Sequence, residues 1–303
     1  MNHLILVSEE NAGRCAPRAL FVSNVCSAQE RGMALIAVLW LVAALSIMVG
    51  GISAGVRQET RTTYAKRELV TAQAQGDAGV HLALQQLRAV DRAPDRWMQA
   101  NVVYDGQELL VQVTPLSGLI DLNRAELPLL QRLLTVAGGM SPDRAQALAQ
   151  LIVEKRETRD SQGGAMRFET EEDLLKVHGV GYDLYARLAP LVTLEGRGSS
   201  RVNANAAPFP VLVVLANGNH RVAEMIHAKR LAGDVGIDIS GLDPALTDNS
   251  SSTRVRVTAL VPIDSGKVVH VSRSVDLMAA APDGTPWSTY RVSTSIQAAA
   301  SEN

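Results

Sequence analysis

The sequence predicts an α+β protein: a long N-terminal transmembrane helix packed on an antiparallel sheet, with a large all-α insert between parts of that sheet. Three observations predict this fold class. The stretch 33–56 contains no charged residue. An amphipathic helical pattern follows it directly. Runs of strand-forming residues then lie on both sides of a long helical block, so one sheet must be assembled across an insertion.

The apolar segment 33–56 is long enough to cross a lipid bilayer. A helix of that length rises about 36 Å, whereas the hydrocarbon core measures about 30 Å. A buried core helix is one alternative, but such helices seldom stay apolar on every face. A cleaved secretory signal is another, although its apolar region should cover about 7–15 residues and end in a small-x-small site. We therefore interpret 33–56 as a transmembrane helix.

The residues after this segment predict the rest of the first helix and a sheet. Between 57 and 95, apolar residues recur at helical spacing among charged and amide side chains, and Pro94 marks the end of the pattern. These apolar residues are Leu69, Ala72, Val80, Leu84 and Leu87. Alternating β-branched and polar residues predict four strands, at 108–114, 254–260, 267–277 and 288–296. The predicted head therefore comprises 96–118 and 254–303.

The insert, 119–230, contains two similar segments. One begins at 122–127 and the other at 202–207, and a helical run follows each of them. Asn123 and Asn203 are predicted to cap these helices, because an asparagine side chain accepts hydrogen bonds from free backbone N–H groups at a helix start. A loop, 231–253, follows the second helical run.

Between the two similar segments lies a sequence that resembles a helix-hairpin-helix motif. Thr170 is predicted to cap a first helix, and a second helix follows at 184–191. The Gly-x-Gly sequence of Gly179 and Gly181 is predicted to form the tight turn between them. Hairpin amides of such motifs often hold DNA phosphates. A membrane-anchored, helix-hairpin-helix DNA-binding protein is therefore the alternative function.

Charge and composition do not favour DNA as a partner. The formal net charge is −2 and aromatic residues make up 4% of the chain. A nucleic-acid footprint requires clustered basic charge or aromatic residues on which bases stack. The hairpin also follows a run of carboxylates that repel phosphate: Glu169, Glu171, Glu172 and Asp173. No nucleic-acid partner is expected.

The sequence contains no recognisable catalytic motif. The histidines lack the spacing of an HExxH metal site, and neither a G-x-S-x-G motif nor a P-loop occurs. Both cysteines, Cys15 and Cys26, precede the apolar segment, so no zinc site or disulfide is predicted after it. The loop 231–253 holds weak candidates for calcium, which prefers oxygen ligands, although a solvated loop is the favoured interpretation. The candidates are Asp234, Asp238, Asp243 and Asp248.

The start of the apolar segment resembles the leader of class III prepilins. Arg31 and Gly32 directly precede the uncharged stretch that begins at Met33. In that family, prepilin peptidase cuts after the glycine and methylates the new N-terminal amine. The resemblance implies a leader of 1–32 and a mature protein that begins at Met33. Glycine suits a protease cleft because a backbone without a Cβ atom extends freely.

A second point of resemblance is the fifth residue counted from Met33, which is Ala37. Ordinary pilins and most pseudopilins carry glutamate there, and its carboxylate neutralises the N-terminal amine of a neighbouring subunit. A subunit that meets no such amine would only bear the cost of a buried charge. A non-acidic residue at this position is characteristic of the K-type minor pseudopilins.

The order of leader, helix, strand, helical insert and further strands resembles the K-type minor pseudopilins of type II secretion systems over nearly the whole chain. The resemblance implies a non-enzymatic subunit at the tip of the pseudopilus, which initiates assembly and supports protein export across the outer membrane. Its partners would be other minor pseudopilins, the major pseudopilin and prepilin peptidase. The protein would cross the bacterial inner membrane once, with its C-terminal head in the periplasm.

Overall fold

The computed structural model describes residues 29–90, 94–158, 167–194, 199–234 and 236–298. In the first helix, only the backbone is described at 29–34, 49–58, 60 and 61. The α-helices are α1 Gln29–Ala89, α2 Leu127–Val136, α3 Pro142–Glu157, α4 Tyr182–Leu188, α5 Phe209–Leu215 and α6 His220–Leu231. The strands are β1 Met98–Tyr104, β2 Gln107–Pro115, β3 Ile120–Asp121, β4 Val192–Thr193, β5 Val202–Asn203, β6 Thr247–Asp248, β7 Arg254–Ile263, β8 Lys267–Asp276 and β9 Ser288–Ala298.

The five long strands form one antiparallel sheet in the order β1-β2-β7-β8-β9. The four predicted strands are confirmed as β2, β7, β8 and β9. β1 is an additional strand, joined to β2 by a two-residue turn at Asp105 and Gly106. Their φ values of 51° and 75° are positive, as the turn type that suits a tight β-hairpin requires. The protein therefore has an α+β fold with an antiparallel sheet.

The chain divides into two compact units, Met1–Tyr64 and Ala65–Asn303. In the first unit, the described side chains of α1 are exposed and largely apolar; Trp40, for example, is 72% exposed. Among the described residues, no helix combines the length and the apolar character that crossing a membrane requires. The predicted transmembrane segment 33–56 includes positions whose side chains lie outside the description. That segment stays a prediction.

In the second unit, the last part of α1 packs on the sheet. The predicted apolar face is confirmed, since Ala72, Val80 and Leu84 are buried against strand residues. α1 ends at Ala89 rather than at 95. The helix meets the strands most closely at Gly76, where an added Cβ atom would lie 2.7 Å from the Cβ of Val271 in β8. Only glycine permits this approach of helix to strand.

We expect Gly76→Ala to lower the free energy of unfolding by about 1–3 kcal/mol, because the new methyl group has to displace Val271. Gly79→Ala is the matched control, with the same gain in helix propensity of about 1 kcal/mol. Its Cβ atom would lie 3.2 Å from the side-chain end of Leu109 and at ordinary contact distance from Ala259 and Val111. Urea unfolding of both variants measures the difference. If Gly76→Ala proved as stable as Gly79→Ala, the close approach would be wrong.

The insert folds around a hydrophobic core of its own, to which α2 contributes Leu130 and Leu134 at 0% exposure. The prediction of an all-α insert needs a correction, because two short parallel strand pairs, β3 with β4 and β5 with β6, brace the helices. The predicted loop 231–253 also contributes to the insert. It contains β6, and Leu242 and Leu246 are buried in the core of the insert.

The two similar segments of the insert form a structural repeat. In β3, Oδ1 of Asp121 accepts a hydrogen bond of 2.8 Å from the backbone N of Asn123. In β5, Oδ1 of Asn203 accepts one of 2.9 Å from the backbone N of Asn205. Two helices follow each turn, α2 and α3 in the first repeat and α5 and α6 in the second. The similarity between the two sequence segments therefore corresponds to a repeat in the structure.

The prediction that Asn123 and Asn203 cap helices is wrong. The residues that precede α2 and α5 are Glu126 and Pro208, and neither makes a side-chain cap. Asn123 instead exchanges two hydrogen bonds with the backbone of Phe168. The side chain of Asn123 thus joins two parts of the insert that are 45 residues apart in sequence.

Candidate functional site at the junction of insert and sheet

The insert leaves and rejoins the sheet at one place. β2 ends at Pro115, which pairs with Val255 at the start of β7. The whole insert is therefore attached at the same end of two neighbouring strands. Further contacts hold the insert on the sheet. One is a backbone hydrogen bond of 2.9 Å from the N of Trp97, just before β1, to the carbonyl of Asn205. Side-chain contacts join the 3₁₀ segment Glu171–Lys176 to β7 and β9.

We call the group formed by Glu171, Glu172, Tyr185, Arg256 and Arg291 the junction cluster. Nη2 of Arg256 lies 3.1 Å from Oε1 of Glu171. Arg291 pairs with both glutamates. The hydroxyl of Tyr185 donates a hydrogen bond of 3.1 Å to Oε1 of Glu172. Charged groups of the insert thus meet charged groups of β7 and β9.

Arg256 also contacts the backbone of the insert. Its guanidinium donates hydrogen bonds of 3.1 Å to the carbonyls of Pro190 and Val192. Val192 belongs to β4, which pairs with β3 at the entrance of the insert. One side chain of the sheet therefore holds both a carboxylate and the backbone of the insert.

Burial sets the direction of the pKa shifts of Glu171, Arg256 and Tyr185 in the junction cluster. Desolvation raises the pKa of Glu171, although Arg256 and Arg291 act in the opposite direction. Desolvation also lowers the pKa of Arg256. Burial, followed by the charge of Glu172, raises the pKa of Tyr185 to about 12. For both Glu171 and Arg256, loss of hydration therefore has a larger effect on the pKa than attraction to the partner.

The predicted hairpin lies next to the junction cluster. The cap at Thr170 is confirmed: Thr170 and Asp173 form a reciprocal capping box at the start of the 3₁₀ segment. A hydrogen bond from Lys176 is the main cause that lowers the pKa of Asp173 to about 2. Gly179 has a φ of 94°, which favours glycine. Gly181 has a φ of −96° and open space around it, so the prediction that the turn needs glycine there is wrong.

The surroundings of the hairpin do not favour a phosphate ligand. Glu169, Glu172 and Asp183 are exposed beside it. Of the nearby basic side chains, Lys176 is paired with Asp173, and Arg187 donates to the carbonyl of Gly138. A DNA phosphate approaching the hairpin would therefore meet carboxylates first.

The four candidate calcium ligands are not brought together. Among the described residues, no group of three or more His, Cys, Asp or Glu side chains is placed to hold a metal ion. Oδ1 of Asp238 accepts from the backbone N of Ser240, and that of Asp248 accepts from Ser250. Asp243 pairs with Arg132 at 2.9 Å. These three carboxylates stabilise local turns, and Asp234 is exposed at the end of α6.

The residues of the predicted processing site lie in the first compact unit. Residues 1–28 of the predicted leader are outside the described residues. Gly32 and Met33 belong to α1, where only the backbone is described. The side chain of Ala37 is exposed. The roles of these residues in processing and assembly stay predictions.

Sequence reasoning missed Arg156 and Arg230, which lie in the last turns of α3 and α6. Nη1 of each donates to two backbone carbonyls in the turn that follows the first strand of its repeat. The signal in the sequence is a Lys-Arg pair at the end of the second helix of both repeats. Each arginine thus ties the end of its repeat to the beginning.

The fold and its junction define an α+β protein with a helical insert set between two neighbouring strands of an antiparallel sheet. No protein-family model matches the sequence, and no curated protein matches it significantly. The chain is similar to a chain in the crystal structure of the GspK–GspI–GspJ complex from the type II secretion system of enterotoxigenic Escherichia coli. The two chains share 14% sequence identity at a TM-score of 0.44, over 79% of this chain and 99% of that chain.

Proposed function

We propose that this chain is a K-type minor pseudopilin, a structural and non-enzymatic subunit at the tip of a type II secretion pseudopilus. The observation that carries the proposal is the order of the elements. A long helix packs on an antiparallel sheet, and a helical insert separates the neighbouring strands β2 and β7. In this role the subunit initiates assembly and supports protein export across the outer membrane.

The N-terminal residues support the same proposal. The uncharged stretch 33–56 serves as a single-pass anchor in the inner membrane, with the head in the periplasm. Prepilin peptidase cuts between Gly32 and Met33. Ala37 leaves the subunit without the carboxylate that would neutralise a neighbour's amine, which suits the first subunit of the assembly. Its helix then bundles with those of other minor pseudopilins and of the major pseudopilin.

Replacing Gly32 by phenylalanine should block processing in bacteria with an active prepilin peptidase, because the new side chain obstructs the backbone at the cut. The wild-type protein should begin at Met33, with a methylated amine. N-terminal sequencing and the mass of the purified protein measure both outcomes. Gly13→Phe is the matched control, since it adds the same side chain within the predicted leader but away from the cut.

Two results would contradict the processing site. One is an uncut wild-type chain in cells that process other prepilins. The other is a mature N-terminus far inside the apolar segment, near Gly55, which would indicate a secretory signal instead. Equal processing of Gly32→Phe and Gly13→Phe would also exclude the proposed cut.

A binding experiment separates the pseudopilin from the alternative DNA-binding function. We expect no appreciable binding of duplex DNA at physiological salt, because carboxylates surround the hairpin and the chain carries a formal net charge of −2. Fluorescence anisotropy with a labelled duplex measures this. Micromolar binding that weakens steeply with salt and is lost in Gly179→Ala would favour the DNA-binding function instead.

A further inference from the structure

Arg230, in the last turn of α6, is a partly buried cation, and two of its three guanidinium nitrogens have no hydrogen-bond partner among the described residues. Its Nη1 donates hydrogen bonds of 3.1 Å to the carbonyl of Asn205 and 2.7 Å to that of Ala207. Its Nε and Nη2 atoms are buried and have no hydrogen-bond partner among the described residues. The Nε–Nη2 edge of a guanidinium carries two parallel N–H groups, the fork that binds carboxylates and other oxyanions.

Two aromatic side chains beside Arg230 also have a ring nitrogen without a hydrogen-bond partner. The guanidinium carbon lies 5.8 Å from the centre of the Trp97 indole ring. The ring centre of His227 is 4.8 Å from that of Trp97. Trp97 is 5% exposed, and neither its Nε1 nor Nδ1 of His227 has a partner among the described residues. Arg230 and Trp97 thus leave buried donors in neighbouring side chains without a described acceptor, and Nδ1 of His227 is a further donor in the tautomer that carries its proton there.

No described carboxylate compensates the charge of Arg230. Burial alone lowers the pKa of Arg230 to about 10, and no described carboxylate raises it. Burial, and then repulsion by Arg230, lowers the pKa of the neighbouring His227. Buried charges in folded proteins are normally paired, because an unpaired one carries a large desolvation cost. A counter-charge from outside the chain would remove this cost.

The two repeats differ in the charged residues near this arginine. Arg156 occupies the equivalent position there, and the charges of Glu157 and Asp121 raise its pKa against the effect of burial. Alignment of the two repeats on their turns and their Lys-Arg pairs places Leu231 at the position of Glu157 and Asn203 at the position of Asp121. The second repeat has therefore kept the arginine while both neighbouring carboxylates are replaced by neutral residues.

We propose that the second repeat binds a small monovalent oxyanion on the Nε–Nη2 edge of Arg230, with Nε1 of Trp97 and the Nδ1–H tautomer of His227 as further donors. The anion supplies the negative charge that carboxylates supply in the first repeat. A planar oxyanion of the size of formate has two oxygens that can accept from the two parallel N–H groups of this edge, and its single negative charge balances that of Arg230. Arg230 and His227 are both partly exposed, so the site lies near the surface, although the nitrogens that would bind the anion are themselves covered. This inference does not depend on the proposed function.

Thermal unfolding of the full-length protein in sodium formate tests the proposal, with sodium gluconate, a larger anion, keeping the ionic strength constant. A ligand that binds only the folded state raises the melting temperature in a saturable way. We expect a rise of about 2–4 °C at saturation. A melting temperature that does not respond to formate, or that rises linearly without saturation, would overturn the proposal, because water alone would then satisfy the donors.

Leu231→Glu provides an independent test, since it restores the carboxylate of the first repeat. It should raise the melting temperature in gluconate. The formate concentration that gives half of the maximal rise in melting temperature should increase by about tenfold or more. Ala232→Glu is the matched control, because it adds the same charge at the next exposed position of the chain. An unchanged formate response in Leu231→Glu, or equal effects of the two substitutions, would contradict the site.

Arg230→Lys removes the fork and keeps the charge, so it should abolish the saturable formate response. If this variant does not fold, His227→Phe replaces it, because that change removes one donor and leaves the two carbonyl contacts of Arg230 intact. For His227→Phe we expect a weaker response to formate. A full response in either folded variant would exclude the proposed geometry.

Discussion

Glu171→Ala is expected to lower the free energy of unfolding by about 3–5 kcal/mol, since it leaves the buried guanidinium of Arg256 without its carboxylate. Glu171 is 6% exposed and pairs with Arg256 at 3.1 Å. Glu169→Ala is the matched control, because Glu169 is an exposed carboxylate two residues away. Its effect should stay within about 0.5 kcal/mol. Urea unfolding of the full-length protein measures both values.

A double-mutant cycle with Arg256→Ala separates the ion pair from its surroundings. The double variant should be less destabilised than the sum of the single variants by about 0.5–3 kcal/mol, because removing both charges leaves neither of them unpaired. Strict additivity would mean that the two side chains act independently, and the junction cluster would then not orient the insert. Loss of stability in Glu169→Ala equal to that in Glu171→Ala would lead to the same conclusion.

The pH dependence of stability gives a second measurement of Glu171. Burial raises the pKa of Glu171 in the folded protein above its unfolded value. The folded state therefore keeps this proton at a pH at which the unfolded chain has released it. The contribution of Glu171 to stability is fully present below the unfolded pKa and is lost as the pH rises through the folded pKa. The side chain of Glu171→Gln cannot ionise, so the stability of this variant should lack the decrease with rising pH that Glu171 causes. Urea midpoints of the variant and the wild-type protein at several pH values measure the difference.

The sheet was largely predictable because its strands carry a local pattern. In β7, Val255 and Val257 are fully buried, and polar or charged residues alternate with them. β1 lacks such a pattern, since Val102 is its one fully covered apolar side chain. The useful signal for β1 was the pair Asp105 and Gly106, which requires positive φ values and predicts a tight hairpin.

The junction cluster could not be predicted from local pattern. Arg256 looks like any outward-facing residue of an alternating strand, and Glu171 belongs to an acidic run that looks like solvated surface. Their burial follows from the position of the insert on the sheet, which brings together residues far apart in sequence. The same holds for Gly76: a glycine within a helical pattern predicts only a weaker helix, whereas the close contact with Val271 of a distant strand requires glycine there.

Gly118 is another position where distant contacts decide the residue. It lies in the short turn between β2 and β3, where the chain leaves the sheet and enters the first repeat of the insert. A Cβ atom at this position would overlap the backbone carbonyl group of Ala206 and lie 2.6 Å from the backbone N of Ala207. Both residues belong to the turn of the second repeat. The entrance of the insert is thus packed backbone against backbone.

We expect Gly118→Ala to lower the free energy of unfolding by about 3 kcal/mol or more, since backbone atoms cannot rotate away from the new methyl group as a side chain could. Gly181→Ala is the matched control: its φ is −96°, and no heavy atom lies within 4 Å of the added Cβ atom. Urea unfolding should show little change for Gly181→Ala. Equal stability of the two variants would mean that the two repeats do not meet at Gly118, and the packing of the insert against its own entrance would be wrong.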